Sequence, residues 1–315
     1  MHWAQVGEAG FLWGIRFLHW VYRHGGIVLF RALLYVVMPW FFLSSGIARR
    51  ASLEYLTRLY ETSGGATPAP VWRNSFRHFM SFGETILEKL IAADVREEIR
   101  EPFSSEGLDA FHRMVDEGRG VLVITAHFGN LMLLRRLGRN HRAHVRLTLL
   151  AHTRHAVRFH RIVRSLNPAL EIDTIQVDSV DVATAMLLSE RIAAGGIVVI
   201  TGDRIPVAPS NATMASSFLG RDAHFPVGPY ILGAALACPV FMMFSARRRE
   251  GVSVMVRRLA DRIVLPRRER RTAIRPYLDA YADALAGACA EHPLQWFNFY
   301  PFWRDHAEKP TKPLA

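Results

Sequence analysis

From residue 107 onward the chain alternates between two kinds of apolar spacing. "LDAFHRMVDEG" has apolar residues at helical intervals and halts at Gly118, whereas "GVLVITA" is a continuous apolar run. Such short runs, bounded by turn residues, predict strands buried on both faces of a parallel sheet. "VRLTLLA", "EIDTIQV", "GGIVVITG" and "CPVFMMFSA" repeat the pattern, with helical spacing between them over about 128–138, 155–165, 179–193 and 228–237. "GVSVMVRRL" predicts one more strand, antiparallel to its neighbours, and "RTAIRPYLDAYADALAGACAEHP" a closing helix. Strands alternating with helices predict an α/β sandwich with a mostly parallel central sheet.

The first third of the chain reads differently. Residues 11 to 62 predict two or three helices, and the Gly- and Pro-rich stretch at 64–70 a loop. A further helix follows, with Phe76, Phe79, Met80, Ile86, Leu87 and Leu90 on one face. "IVLFRALLYVVMPWFFLS" (27–44) is apolar for 18 residues apart from Arg31 and Pro39. That length is at the lower limit for crossing a bilayer, and an arginine within it is costly. The Trp, Phe, Arg and His of "FLWGIRFLHWVYRHGG" suit a helix lying in a membrane interface. The N-terminus lacks the three-part layout of a signal peptide.

Composition narrows the classes. Half of the 315 residues are hydrophobic and 21% charged, enough for a sizeable core and too apolar for a disordered chain. The net charge of +11 favours an anionic membrane, an acidic protein or nucleic acid. No nucleic-acid motif accompanies it, so nucleic acid is not expected as a partner. Cys238 and Cys289 lack metal or redox spacing and read as buried free thiols.

The candidate chemistry centres on "TAHFGN". His127 follows a buried strand, where open α/β folds bind ligands. A neutral imidazole there can take a proton from a hydroxyl or amine. A helix is expected to start near Phe128 to Asn130, its free amides and the Asn130 side chain facing an anionic group. The plainer reading is that His127 only caps that helix. "GDR" at 202–204 also follows a strand; Arg204 could grip a phosphate or carboxylate, with Asp203 orienting it, or the two form an ordinary surface pair. "FPVGP" sets Pro229 at a helix start. The aromatic run "QWFNFYPFW" (295–303) reads as an acyl channel, a membrane-interface belt or a plug for the core.

Other motifs carry less. The pairs His141/His144 and His152/His155 lack further ligands, so no metal is expected. "SARRRE" and "LPRRERR" are basic faces, solvated or turned to anionic headgroups or an acidic carrier protein. There is no G-x-S-x-G elbow and no P-loop.

"HFGNL", "GDRIPV", "FLGRDAHFPVGP" and "HPLQWFNFYPFW", in that order, resemble the lysophospholipid acyltransferase superfamily, in the branch related to the late acyltransferases of lipid A synthesis. "ARRASLEYL" is also similar to that branch. The resemblance implies a glycerolipid-acyltransferase-like domain over 70–306, after a membrane-associating helical region at 1–63 and before a polar tail at 307–315. It implies acyl transfer from an acyl carrier protein or coenzyme A thioester to a lipid hydroxyl or amine, without a cofactor. The site would lie on the cytoplasmic face of a bacterial inner membrane. His127 takes the place of the family's general base. Gly129 and its neighbours would supply amides for the oxyanion, and Arg204 and Arg221 would hold anionic groups.

The family motif is His-x4-Asp/Glu, and here Met132 stands at the carboxylate position. Three readings follow. Asp203, or less readily Glu190, replaces the carboxylate. The histidine works alone and slowly. Or the chain is a catalytically silent homologue that binds lipid or acyl chains. A thioesterase, with water as acceptor, is a further class.

Overall fold

The computed structural model describes residues 8–91, 101–104, 107–130, 145–151, 172–176, 182–205, 213–248 and 251–303. Three helices come first: α1 (Glu8–Ser44), α2 (Gly46–Thr62) and α3 (Trp72–Ile91). Then follow β1 (Glu101–Ser104), α4 (Leu108–Asp116), β2 (Val121–Thr125), β3 (Leu147–Ala151), β4 (Ile172–Gln176), α5 (Val182–Ala193) and β5 (Ile197–Thr201). The rest comprises β6 (Thr213–Phe218), β7 (Arg221–Pro226), α6 (Gly228–Leu236), β8 (Val240–Arg248), β9 (Gly251–Ala260) and α7 (Arg270–Glu291).

The expected α/β class is what forms. The main sheet has seven strands in the order β1-β9-β8-β2-β5-β3-β4, with β8–β9 the antiparallel pair and all other pairs parallel. Alternation along β2 and β5 explains why these runs are apolar throughout. Leu122, Ile124, Val198 and Ile200 enter one core with α6 and α7, while Val121, Val123, Ile197 and Val199 enter another with α4. Helix α4 ends as its sequence predicts: Gly118 takes φ 71°, and its N–H reaches the Val115 carbonyl.

Two elements lay outside the expectation from spacing. β1 is a short edge strand beside β9. "FLGRDAHFP" lies in an antiparallel hairpin, β6–β7, whose first strand packs on α7 through Ser216 Oγ, which donates to Asp279. The helical patterns at 131–138 and 155–165 fall outside the described residues, as do Met132, both His-x2-His pairs and the tail.

The N-terminal helices divide their loyalties. Phe30, Leu34, Met38 and Phe42, four residues apart on α1, pack with Phe79 and Leu87 of α3. Tyr55, Leu56 and Leu59 of α2 belong to the same core as the central strands, so α2 is anchored in the α/β body. The rest of α1 is unusually apolar for a surface: Tyr35, Val36, Trp40 and Leu43 are between 65% and 74% exposed. His24–Ser44 is long and apolar enough to cross a membrane, with 22% of its most apolar window buried. Globular proteins rarely leave such a face to water, and this one is compatible with membrane association.

Candidate active site

Sheet register brings His127 and Asp203 together. β2 and β5 are parallel with Thr125 beside Thr201, and the pairing continues when Gly202 N–H donates to the Thr125 carbonyl at 2.8 Å. Two residues beyond each strand end, His127 and Asp203 therefore emerge side by side. Gly202 has to lack a side chain, because a Cβ would press on the Tyr281 ring and Ile124. The Tyr281 hydroxyl donates to the same Thr125 carbonyl.

The Asp203 carboxylate accepts three hydrogen bonds. Oδ2 takes the backbone N–H of His127 at 2.8 Å and the indole N–H of Trp296 at 3.0 Å; Oδ1 pairs with His127 Nδ1 at 2.9 Å. An ionised carboxylate can only accept, so His127 carries its proton on Nδ1 and its lone pair on Nε2. Exposure matches that division of labour: the Asp203 side chain is 1% exposed and that of His127 41%. Burial by itself would raise the Asp203 pKa. It is outweighed by the facing His127 charge and hydrogen bonds and by nearby Arg204, which hold the carboxyl at about 2. Asp203 is ionised throughout the physiological range.

The C-terminal aromatic run builds the back wall. Phe128 and Trp296 form an isolated antiparallel bridge, closed by Phe297 N–H to His127 O and Gly129 N–H to Gln295 O, both 2.8 Å. Tyr300 donates to the Asp203 carbonyl, and Arg204 donates to the Phe297 carbonyl while stacking on the Tyr300 ring. Trp296, Phe302 and Trp303 are buried, so of the three readings of this run the plug describes these rings, and a membrane belt does not.

Several sequence expectations need correction. Residues 128–130 are not the first turn of a helix. Gly129 has φ +53° and leans against the Ser245 carbonyl of β8, while Phe128 is bridged to Trp296. The amides of His127 and Gly129 are taken by Asp203 and Gln295 and are not held out to an oxyanion or anionic ligand. Asn130 is 2% exposed, its carbonyl taking the Ser245 hydroxyl. Arg221 is exposed beside the β6–β7 turn, and among the described residues no hydrogen bond or ion pair joins it to His127 or Asp203. Glu190 is exposed on α5. Of the proposed set, the structure gathers His127, Asp203 and Arg204.

The basic clusters also separate. Arg247 pairs with Glu84 and Glu88, and Arg248 with Glu291, tying β8 to α3 and α7. "LPRRERR" follows the end of β9, which pairs with the start of β8 at the sheet edge opposite His127. Cys238 and Cys289 are buried free thiols, and burial pushes the Cys238 thiol up to about 11.

Sequence reading missed Trp296 as the Asp203 donor, and it missed His78. This fully buried imidazole sits on α3 between Ser52 Oγ, 3.0 Å from Nδ1, and the Trp296 carbonyl, 2.9 Å from Nε2. A carbonyl cannot donate, so Nε2 bears the proton and Nδ1 accepts from Ser52. Burial lowers the His78 pKa from 6.5 to about 4, against a smaller opposing effect of the Trp296 carbonyl.

These two groups set the acid response. The unfolded chain binds a proton at His78 more readily than the folded one, so stability falls by about 3 kcal/mol as pH drops from about 6.5 to about 4. The Asp203 contribution is fully present above 3.8 and lost as pH falls towards 2. Urea midpoints followed against pH should show both declines, and His78→Gln should remove only the first.

A scan of family models and a search of curated proteins return no match to this chain.

Proposed function

We propose that this protein is a membrane-associated acyltransferase of the lysophospholipid-acyltransferase type, with a glycerolipid-acyltransferase-like fold. The observation that carries the proposal is the His127 Nδ1–Asp203 Oδ1 pair at the end of the central strands, in which the carboxylate is buried and the His127 side chain is 41% exposed. The four sequence motifs point the same way. In this reading Asp203 supplies the carboxylate that the Met132 position lacks. Nε2 takes the proton from a lipid hydroxyl or amine as that atom attacks the thioester carbonyl. The tetrahedral intermediate expels the thiolate of the acyl carrier protein or coenzyme A, and the imidazolium returns the proton to it. Asp203 holds the tautomer and stabilises the imidazolium, and Arg204 helps keep Asp203 ionised. No step needs a cofactor.

The apolar face of α1 supports placing the protein on a membrane, in this reading the cytoplasmic face of an inner membrane, where donor and lipid acceptor meet. Helix α3, against which α1 packs, carries Arg73, Arg77, Glu84 and Glu88, so the pair favours lying in the interface over crossing it. Val36→Asp with Leu43→Asp should weaken partitioning into anionic vesicles by about a hundredfold, from the loss of two apolar insertions of about 1.5 kcal/mol each. Flotation measures it.

Single-turnover transfer from a labelled acyl carrier protein or acyl-coenzyme A to a bacterial lipid extract tests the activity. Acylated lipid is expected from the parent protein, and Met132→Glu should add little because Asp203 already serves Nδ1. Free fatty acid as the product would indicate a thioesterase. An inactive parent activated by Met132→Glu would make the protein a silent lipid binder.

A further inference from the structure

Asp203 is held from behind by Trp296, and Trp296 is in turn held by a polar chain that no acyl-transfer step uses. Ser75 Oγ donates to Ser52 Oγ at 2.9 Å, Ser52 donates to His78 Nδ1, and His78 Nε2 donates to the Trp296 carbonyl. All three side chains are 0% exposed. They link α2 and α3 to the one residue whose indole N–H reaches Asp203 Oδ2. A buried polar network is costly unless every member is satisfied, and an apolar core here would cost less. Leu or Phe would fill the space beside Tyr55, Phe297 and Phe299, whose rings lie 4.6–6.2 Å from the imidazole. What an apolar residue would not do is fix the height of the Trp296 backbone.

That height matters because Trp296 is pinned on two sides. The Phe128 bridge ties it to the His127 strand, and the indole ties it to Asp203. A shift of Trp296 therefore moves the bridge and the carboxylate together. We propose that His78 is a positioning residue for the His127–Asp203 pair, acting through Trp296. Its consequence for acyl transfer rests on the function proposed above; its consequence for the geometry of the pair does not.

The test reads that geometry directly. In full-length protein with nitrogen-15-labelled histidine, His127 is assigned by His127→Ala, and its proton is located on Nδ1 or Nε2 by NMR. The parent should show the Nδ1–H form. His78→Leu should lose that signal in favour of Nε2–H, and His78→Gln, whose amide can still donate to the Trp296 carbonyl, should keep it. Leu87→Ala, a destabilising change elsewhere on α3, should leave the signal alone. In a Trp296→Phe background, His78→Leu should add less than it does alone, since the indole route to Asp203 is already cut and only the backbone bridge to Phe128 remains. If His78→Leu does not fold, Ser52→Ala carries the same comparison. Unchanged His127 signals in the folded variants, or a full additional effect in the Trp296→Phe background, would overturn the proposal. Where acyl transfer is measurable, kcat should fall about ten- to a hundredfold in His78→Leu with KM little changed, as when outer partners of an oriented histidine are removed. A lost Nδ1–H signal in a protein without transferase activity would uphold the positioning role and reject the proposed function.

Discussion

Asp203→Asn should lower the proposed acyl transfer, read in single turnover, by about four powers of ten, by analogy with the same change in serine-protease triads. The reason lies in the donors around the carboxylate. Oδ2 receives the His127 and Trp296 N–H groups, and Oδ1 faces His127 Nδ1. An asparagine keeping its oxygen toward the two fixed N–H donors must aim its NH2 at Nδ1. That arrangement accepts only an Nδ1 lone pair, which moves the imidazole proton to Nε2 and leaves no base. The flipped amide sets NH2 against two donors and costs stability instead. His127→Ala should reach a similar floor, and the double variant should be little worse, because the two side chains act as one unit. A loss below tenfold in Asp203→Asn would remove Asp203 from the mechanism.

Gly129→Ala should destabilise the protein by about 2–5 kcal/mol, the sum of a left-handed backbone cost and a steric overlap. Gly129 has φ +53°, and a Cβ would overlap the Ser245 carbonyl oxygen of the neighbouring strand. That atom belongs to β8 and cannot rotate away as a side-chain tip could. Relief requires moving residues 127–130, which carry the proposed base and the bridge to Trp296. Both the denaturation midpoint and the rate of the proposed transfer should therefore fall. A midpoint within about 0.5 kcal/mol of the parent, the range of a neutral surface change, would show that the turn has room the structure denies it.

How much of this was legible beforehand depended on whether the cause was local. Buried strands were readable because a sheet covered on both faces demands unbroken apolar runs, as in "VLVIT" and "IVVIT". The end of α4 was readable because Gly118 alone determines it. His127 and Asp203 could each be located just past a strand end, and so on one sheet edge. The exposed apolar face of α1 followed from composition.

Contact between groups far apart in the chain was not readable. His127 and Asp203 are 76 residues apart, and only the adjacency of β2 and β5, in register at Thr125 and Thr201, sets them at 2.9 Å. Strand order depends on which faces find cover, and local spacing does not record it. The same limit hid Trp296, whose indole partner lies 93 residues away, and His78, joined to Trp296 across 218. It also hid the placement of residues 128–130, where the bridge to Trp296 and the close approach to β8 hold the chain in a non-helical turn. Apolar periodicity determined the elements and the sheet edge where the candidate site sits. Tertiary packing decided which carboxylate meets the imidazole, because a hydrogen bond depends on distances that only the assembled sheet defines.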